Sequence, residues 1–394
     1  MNKEILNTGI QIFIKNNINT DISSLLLKGT DFKDISTIEI VEQIEAKKKC
    51  IKKLPTWFST NNIYYPNKLN IEQTSSEITA QYKANLINGN NLIDLTGGLG
   101  IDSYYFSKKI NKIIYCEVDE NLAEIAAHNY KILGVKNIEV YADNGLDFLK
   151  KNKVKTDWIF IDPSRRDDSK NKVFLLSECL PNVPDNLENI FKYSDNILIK
   201  TSPLLDLTIG ISELKFVRKI YVVSVKNEVK ELLWILEKEY QGEIKIHTIN
   251  IKNEKNEEVD FLHNDEKKFT SNFSLPKKYL YEPNSALLKA GAFNIISCKF
   301  NVSKLHKHSH LYTSDSAIDF PGRSFTIESI IPYTKKAPKK VLKTRNANIT
   351  TRNFPESVAQ IRKKLNLKDG GDIYLFFTTE LNNEKIIIIC KKNT

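Results

Sequence analysis

The residues best suited to chemistry lie at positions 92–102, which read LIDLTGGLGID. Apolar residues typical of a strand end run into three glycines within four positions, and a segment with a helical pattern follows. Glycine permits positive φ and lets a ligand approach the backbone closely. A tight glycine-rich turn after the first strand of an α/β sheet is where such folds bind nucleotide-like ligands. We therefore predict a ligand site at this turn.

The spacing of the glycines separates two candidate ligands. A dinucleotide fold needs G-x-G-x-x-G, whereas Gly97, Gly98 and Gly100 give G-G-x-G without a third glycine at the phosphate-contacting position. S-Adenosylmethionine carries no phosphate, so its turn needs close backbone approach without an anion site. Asp94, ahead of the turn, can orient the loop or meet the cationic amino-acid end of that cofactor. The turn therefore favours a methyl donor over a dinucleotide.

Polar side chains at the next strand ends extend the predicted cofactor site. Glu117 ends the second strand, where a carboxylate can accept hydrogen bonds from both ribose hydroxyls, and Asp119 fits a helix cap. Asp143, after the third strand, suits the exocyclic amine of adenine, with an ordinary turn residue as the alternative. Ser75 or Ser76 is expected to cap the helix before the turn. The predicted cofactor-binding set is Ser76, Asp94, Thr96, Gly97, Gly98, Gly100, Asp102, Glu117, Val118, Asp143 and Asn144.

A second chemical signal ends the fourth predicted strand, where residues 162–166 read DPSRR. A methyl acceptor must approach the cofactor here, and Asp162 could position it or accept its proton. The two arginines suit a phosphate or the face of a base, with ion pairs to Asp102, Asp167 or Asp168 as the alternative. The fifth strand adds a basic group near its end. The predicted catalytic set is Asp162, Pro163, Ser164, Arg165, Arg166 and Lys200.

Other chemistries have weaker support. Amino-directed base methyltransferases place an aromatic residue in the acceptor motif, where this chain has serine and arginine. Cys179 lacks the neighbours expected for covalent attack on a pyrimidine. The five cysteines are scattered, which predicts reduced thiols without a zinc site. His306, His308 and His310 alternate as on a solvated strand, and we predict that no metal binds them.

Composition limits the partners and the location. The chain has 394 residues and is 41% hydrophobic, which allows a large core and two or three domains. No stretch approaches 18 apolar residues and the first residues lack a leader pattern, so we expect no membrane partner and a cytoplasmic location. The net charge of +10 is compatible with nucleic acid, an acidic surface or simple solubility.

Apolar periodicity predicts helices first, then an α/β region, then an α+β region. Residues 1–55 read as helices, and strands alternate with helices over 91–251, which indicates a mostly parallel seven-stranded sheet. Residues 252–274 are polar and read as a loop or hairpin. The C-terminal third closes with a hairpin over 372–391. The pattern also predicts helices at 173–193, 228–240 and 357–365 and strands at 294–300, 324–331 and 337–344.

The chain resembles class I S-adenosylmethionine-dependent methyltransferases over roughly residues 70–250. The resemblance is carried by the glycine turn with Asp94, by the acids Glu117 and Asp143, and by Asp162 with Pro163. More narrowly, nearly the whole chain is similar to the bacterial methyltransferases with a THUMP-like C-terminal domain. The matching motifs are EQxSSExTA at 72–80, DPSRR at 162–166, YEPNxA at 281–286, KAG at 289–291 and LKDGGD at 367–372. The resemblance implies a helical region at 1–70, a Rossmann-like α/β methyltransferase domain at 71–270, a small ferredoxin-like region at 271–320 and a THUMP-like α+β domain at 321–394.

The resemblance also implies the reaction. THUMP domains are associated with RNA, so we expect S-adenosylmethionine-dependent methylation of a tRNA or rRNA base. Two alternatives stay open: a methyltransferase of protein or small molecules that uses the C-terminal domain as a lid, and a non-catalytic RNA-binding module. The intact glycine turn argues against the last. The basic residues expected to hold the nucleic acid backbone are Lys335, Lys336, Lys339, Lys340, Lys343, Arg345 and Arg352.

Overall fold

The structure is a computed structural model that describes residues 1–165, 175–334 and 346–393, and at Arg165 it describes the backbone alone. The chain divides into two units, Met1–Val217 with Leu233–Tyr240, and Arg218–Leu232 with Gln241–Thr394. Three predictions lie outside the described residues: the catalytic residue Arg166, the strand at 337–344 and the basic residues between Lys335 and Arg345.

The first unit begins with helices whose apolar sides pack together. Ser36 and Glu39 form a reciprocal capping box at the start of the longest of these helices. The buried side chains Ile40 and Ile44 of that helix belong to one core with Ile10. This confirms the predicted helical start of the chain. The helices are α1 (Thr8–Asn16), α2 (Ile22–Lys28), α3 (Thr37–Lys53), α4 (Pro55–Ser59), α5 (Lys68–Gln73) and α6 (Glu77–Ala84), with a 3-10 helix at Lys3–Leu6.

A parallel sheet follows in the first unit, so the carboxyl ends of its strands meet at one edge. The parallel strands, in spatial order, are β3 (Ile138–Tyr141), β2 (Lys112–Cys116), β1 (Asn91–Asp94), β4 (Trp158–Ile161) and β7 (Asn196–Thr201). A two-stranded antiparallel ribbon is formed by β5 (Ser164–Arg165) and β6 (Cys179–Leu180). The helices are α7 (Ile101–Phe106), α8 (Glu120–Ile132), α9 (Gly145–Asn152), α10 (Val183–Ile190) and α11 (Leu207–Glu213).

The helix predicted at 228–240 is wrong, because Glu228–Glu237 forms strand β9. Lys226 and Asn227 have φ of 51° and 65° and connect β8 (Val217–Val225) to β9. Two residues with positive φ make the tight turn that suits a β-hairpin. The apolar centre of β9 is buried without alternation. Periodicity alone does not distinguish such a run from a buried helix.

The continuous helix predicted at 173–193 is also wrong within the described residues 175–193. A 3-10 helix at Leu176–Glu178 and the short strand β6 precede α10. The Asn182 side chain accepts a hydrogen bond from a backbone N–H in the first turn of α10 and so begins that helix. The cap and the neighbouring proline residues interrupt what reads as one apolar pattern.

The second unit contains a hairpin and a larger sheet. In the hairpin, β10 (Lys245–Ile251) and β11 (Glu257–Leu262) pair antiparallel, and β10 lies parallel to β8. The polar stretch 252–274 thus includes one arm of a hairpin, as predicted. The larger sheet has the spatial order β13 (Ser303–Lys304), β14 (Tyr312–Ser314), β12 (Tyr279–Pro283), β15 (Gly322–Pro332), β18 (Lys385–Lys392), β17 (Ile373–Thr379) and β16 (Asn348–Arg352). Its helices are α12 (Asp265–Lys268), α13 (Ser285–Ala290), α14 (Phe293–Lys299) and α15 (Val358–Leu365).

The closing hairpin of the second unit confirms the C-terminal prediction and has apolar cores on both faces. Phe376 and Ile388 belong to one core, whereas Phe377 and Ile387 belong to another. Alternate residues of a strand point to opposite faces. The sheet is therefore buried on both sides at this hairpin, which explains the unbroken apolar runs in both strands.

The strand predicted at 294–300 is wrong, because Phe293–Lys299 forms helix α14. The Glu266 carboxylate accepts hydrogen bonds from the backbone N–H groups of Asn294 at 2.8 Å and Ile295 at 3.2 Å. It thereby satisfies N–H groups that a helix start leaves without intrahelical partners. Because this capping group comes from 28 residues upstream, no local pattern could have predicted it.

The Y-E-P-N motif is a structural junction of the second unit. The Glu282 carboxylate, 4% exposed, accepts from Arg323 Nε at 2.6 Å and from Arg352 Nη2 at 3.0 Å. Asn284 caps α13 and donates from Nδ2 to the Glu257 carboxylate at 3.0 Å. Arg352, which we predicted to hold a nucleic acid backbone, is thus engaged with a buried carboxylate.

Glu282→Gln is expected to lower the free energy of unfolding by about 2 kcal/mol, because the two arginines then lose a buried counter-charge. The measurement is urea unfolding of the whole chain. The matched control is Glu328→Gln, since Glu328 pairs with Lys391 at the surface and such pairs contribute at most about 1 kcal/mol. Equal losses in both variants would contradict this role for Glu282.

Candidate functional site

The three glycines of the turn have different surroundings. A Cβ on Gly97 would lie 2.1 Å from the Tyr115 ring, and one on Gly100 would lie 2.0 Å from the Tyr130 hydroxyl. A Cβ on Gly98 would meet nothing closer than a backbone oxygen at 3.9 Å. Gly98 and Gly100 have φ of 57° and 80°, which glycine adopts without steric cost. Gly97 and Gly100 are therefore packed against tyrosine side chains, whereas the space beside the Gly98 backbone is open. We call this open backbone surface at Gly98 the cradle, because a ligand could lie against it.

Asp94 stabilises the turn through hydrogen bonds. Its buried carboxylate accepts from the Thr96 backbone N–H at 3.0 Å and from the Ser103 hydroxyl at 2.6 Å. The Thr96 hydroxyl in turn accepts from the Asp162 backbone N–H at 2.7 Å. The glycine turn and the end of β4 are thus joined through three residues. Of the two roles predicted for Asp94, these contacts fit the orientation of the loop.

Asp94→Asn is expected to flatten the pH dependence of stability. Burial raises the pKa of Asp94 from its usual 3.8 to about 7. Between these values the folded chain binds a proton that the unfolded chain has released, so the free energy of unfolding falls as pH rises through this window. Asparagine does not titrate there, and its amide retains an oxygen toward Thr96 and an N–H toward Ser103. Urea midpoints at pH 5 and pH 8 should differ more for wild type than for the variant; equal differences would contradict this account.

Glu117 lies against the turn, as its predicted ribose role requires. Its Oε2 accepts from the Gly98 backbone N–H at 2.7 Å, and its Oε1 accepts from the Asp119 N–H at 2.9 Å. Asp119 caps α8, as predicted. Val118, between the two acids, is 73% exposed. An apolar surface and a carboxylate thus stand side by side next to the open glycine.

The third strand end carries an ion pair. Asp143 accepts from Lys151 Nζ at 2.9 Å, and this hydrogen bond is the main reason that the pKa of Asp143 lies below its usual value. Asn144 caps α9 through its side-chain oxygen. The contact of Asp143 with adenine stays a prediction, and Lys151 is a partner that sequence reasoning missed.

A fully buried lysine fixes the serine turn that precedes the glycines. Lys83 Nζ lies 3.2 Å from Asp102 Oδ1 and donates to the Ser75 hydroxyl at 3.2 Å. Ser75 also donates to Asp102 Oδ2 at 2.7 Å, while Ser76 caps α6. Asp102 is therefore bound to Lys83, a different cation from the arginines that we considered. Lys83 lies three residues after Ala80 on the face of α6 that the structure buries, so no signal for its role was available in the sequence alone.

The acceptor side combines an acid and a base. Lys200 Nζ donates to Asp162 Oδ2, with the two side chains 13% and 32% exposed. Pro163 is buried and Ser164 is exposed in the segment that follows. The structure thus brings Asp162 and Lys200 together, as their strand ends predict. The side chain of Arg165 and the whole of Arg166 lie outside the described residues.

Within residues 1–165, 175–334 and 346–393, no group of three or more His, Cys, Asp and Glu side chains is arranged to hold a metal ion. Of the three histidines predicted to lie on a solvated strand or linker, His306 is instead buried and contacts the Asn383 side chain at 3.1 Å, and His310 stacks on Phe293. In the same part of the chain, no helix combines the length and apolar character needed to cross a membrane.

Comparison with known proteins gives matches to the C-terminal part of the chain and to the chain as a whole. A ferredoxin-like domain model matches residues 279–321, and a THUMP domain-like model matches residues 322–392. A solved structure from Porphyromonas gingivalis W83, provisionally assigned as a methyltransferase, is 32% identical to this chain, with a TM-score of 0.90. The similarity covers 100% of this chain and 99% of that chain. The chain belongs to the class I S-adenosylmethionine-dependent methyltransferases with a THUMP-like C-terminal domain.

Other solved structures resemble part of this methyltransferase. An rRNA methylase from Streptococcus thermophilus is 16% identical, with a TM-score of 0.31 over 42% of this chain and 95% of that chain. M. capricolum TrmK, solved with S-adenosylhomocysteine, is 15% identical, with a TM-score of 0.33 over 44% of this chain and 71% of that chain. No curated protein matches the chain. The predicted fold, α/β with ferredoxin-like and THUMP-like C-terminal parts, is confirmed.

Proposed function

We propose that this methyltransferase transfers the methyl group of S-adenosylmethionine to a base of tRNA or rRNA. The proposal rests mainly on the open Gly98 cradle. Hydrogen bonds through Asp94 and Thr96 connect this turn to the strand end that bears Asp162. In this arrangement the cofactor turn and the acceptor residue share one brace. Methyl transfer depends mainly on holding donor and nucleophile in line, so such a brace contributes directly to the rate.

The residues around the cradle fit the cofactor. The backbone at Gly97–Gly100 would lie beneath it, the Glu117 carboxylate would accept the ribose hydroxyls, and Val118 and Asp143 would border the adenine. Glu117 and Gly98 already contact each other at 2.7 Å, so a ribose hydroxyl would bind a carboxylate that the turn itself orients. When bound, the cofactor supplies an electrophilic methyl group on a sulfonium.

The acceptor residues perform the remaining chemistry. Asp162 is placed to bind an N–H or O–H of the acceptor and to take its proton as the methyl group arrives. Lys200 donates to Oδ2 of the Asp162 carboxylate and so fixes the orientation of that side chain. Asp94, Ser75 and Lys83 hold the surrounding turns, so we assign them a positioning role.

RNA as the substrate is supported by charge and by the C-terminal domain. The chain has 58 Lys and Arg residues against 48 Asp and Glu residues, and residues 322–392 match the THUMP domain-like model. A basic chain attracts a phosphate backbone at long range. The domain supports RNA by analogy of fold, so the substrate needs its own experiment.

The experiment uses purified protein, tritium-labelled S-adenosylmethionine and a lysate from a strain that lacks the gene. After incubation, RNA and protein are counted separately, and small molecules are counted after chromatographic removal of the labelled S-adenosylmethionine. We expect the label in RNA. Label in protein or in small molecules, with none in RNA, would reject the substrate class while leaving the methyltransferase assignment intact.

A further inference from the structure

Two leucines on segments next to Asp162 and Lys200 are exposed although each has a fully buried chain neighbour. Leu180 is 53% exposed and Leu204 is 73% exposed, whereas the adjacent Cys179 and Leu205 are 0% exposed. Each leucine therefore projects from a well-packed segment. Single exposed leucines are ordinary on a protein surface, but Leu180 pairs with Ser164, two residues after Asp162, and Leu204 lies four residues after Lys200.

Leu204 has a firm support. The Ser202 hydroxyl accepts from the Leu204 backbone N–H at 3.2 Å, and the Ser202 carbonyl accepts from the Leu205 N–H at 3.2 Å. Just before this turn, the Thr201 hydroxyl accepts from the buried indole N–H of Trp234 at 3.0 Å. The turn therefore holds Leu204 outward, four residues after Lys200.

Leu180 has a comparable support on the other side. Its Cα partner across the β5–β6 ribbon is Ser164, two residues after Asp162. The start of the segment is anchored because the Glu213 carboxylate accepts from the backbone N–H groups of Leu176 at 2.8 Å and Ser177 at 3.0 Å. Leu180 is thus held beside the acceptor motif.

We infer that Leu180 and Leu204 form an apolar wall against which the planar ring of the acceptor base packs, while Asp162 and Lys200 bind its polar edge. This inference rests on the proposed RNA methyltransferase function. A nucleobase has two apolar faces and an edge of donors and acceptors, which matches this division of residues. A phosphate or carboxylate group would gain nothing from the leucines.

The acceptor motif at residues 162–166 supplies no described side chain that could pack against the ring of a base. Among its described side chains, Asp162, Pro163 and Ser164, there is no aromatic ring on which a base could stack. Aliphatic side chains can replace an aromatic partner because contact with a ring face is mainly a matter of apolar area removed from water. Leu180 is the Cα partner of Ser164 and Leu204 follows Lys200 by four residues, so both leucines lie on segments next to the residues proposed to bind the base.

The test uses the full chain and four variants: Leu180→Ser, Leu204→Ser, the double variant, and Leu27→Ser as the matched control, since Leu27 on α2 is 88% exposed. Calorimetry measures S-adenosylmethionine affinity, and label transfer to total RNA from a strain lacking the gene gives kcat/KM. We expect kcat/KM to fall about 10-fold in each single variant and about 100-fold in the double variant. Cofactor affinity should change less than about twofold, and the control should match wild type.

A second readout reports the ring directly. With leucine methyl groups labelled for NMR and S-adenosylhomocysteine bound, addition of the same RNA should shift the Leu180 and Leu204 methyl signals upfield, because a stacked ring shields them. Leu27 should not shift. Three results would overturn the inference: wild-type kinetics in all the variants, absence of these shifts, or an equal loss of cofactor affinity. Transfer to RNA by the wild-type protein would still uphold the proposed function in each case. No transfer to RNA by wild type would refute the proposed function, and the base as occupant with it.

Discussion

Gly98→Arg is expected to lower the affinity for S-adenosylmethionine by at least about 100-fold without unfolding the chain. A Cβ at this position meets no atom closer than 3.9 Å, so the arginine side chain extends into the space proposed for the cofactor. The φ of 57° costs a non-glycine residue about 1 kcal/mol, which is small beside the stability of a chain of this size. Calorimetric titration measures the affinity, and the melting temperature reports the fold.

Gly98→Ala separates bulk from backbone strain. Alanine bears the same cost at positive φ but adds only one carbon in open space, so its cofactor affinity should stay within about fivefold of wild type. Gly97→Ala should behave oppositely, because its Cβ would lie 2.1 Å from the Tyr115 ring; it should lower the melting temperature. Undiminished cofactor affinity in Gly98→Arg would refute the assignment of the turn.

Asp162→Asn is expected to reduce kcat by about 100- to 10,000-fold, the range in which general bases contribute. The amide keeps the shape of the side chain but does not accept a proton. The backbone N–H of residue 162 still donates to the Thr96 hydroxyl, so cofactor affinity should change less than about threefold. Single-turnover transfer to RNA measures the chemical step, and calorimetry measures cofactor binding.

The matched control is Asp195→Asn. Asp195 faces solvent near Lys238 in the same unit, with its side chain 74% exposed, and its replacement should leave both kcat and cofactor affinity unchanged. If Asp162→Asn retained full activity, the proton would have another acceptor. If it lost the cofactor as well, Asp162 would belong to the cofactor site.

The glycine turn and the acids at the strand ends were predictable because their signals are local. The glycine spacing favours S-adenosylmethionine over a dinucleotide as the ligand. The parallel strands bring Glu117 and Asp162 to one edge of the sheet. The cap function of Asp119 and the closing hairpin were predictable for the same reason. The Asp119 cap depends on Asn121, two positions away, and the two strands of the hairpin are joined by one short turn.

The residues that were missed depend on distant partners. Lys83 reads as a surface lysine until Asp102 and Ser75 bind it in the interior. Helix α14 starts at a carboxylate 28 residues upstream. Strand β9 has the composition of a buried helix, and the tertiary structure determines which of the two it forms. The exposure of Leu180 and Leu204, on which the proposed apolar wall rests, is likewise known only from the structure.

Methylation of RNA by this protein can be tested by mass spectrometry of the nucleosides in tRNA and rRNA. Four strains are compared: wild type, a strain lacking the gene, and that strain complemented with wild-type or with Asp162→Asn protein. We expect one methylated nucleoside to be lost in the deletion strain, to return with the wild-type protein and to stay absent with the variant. Identical nucleoside profiles in all four strains would contradict methylation of RNA by this protein.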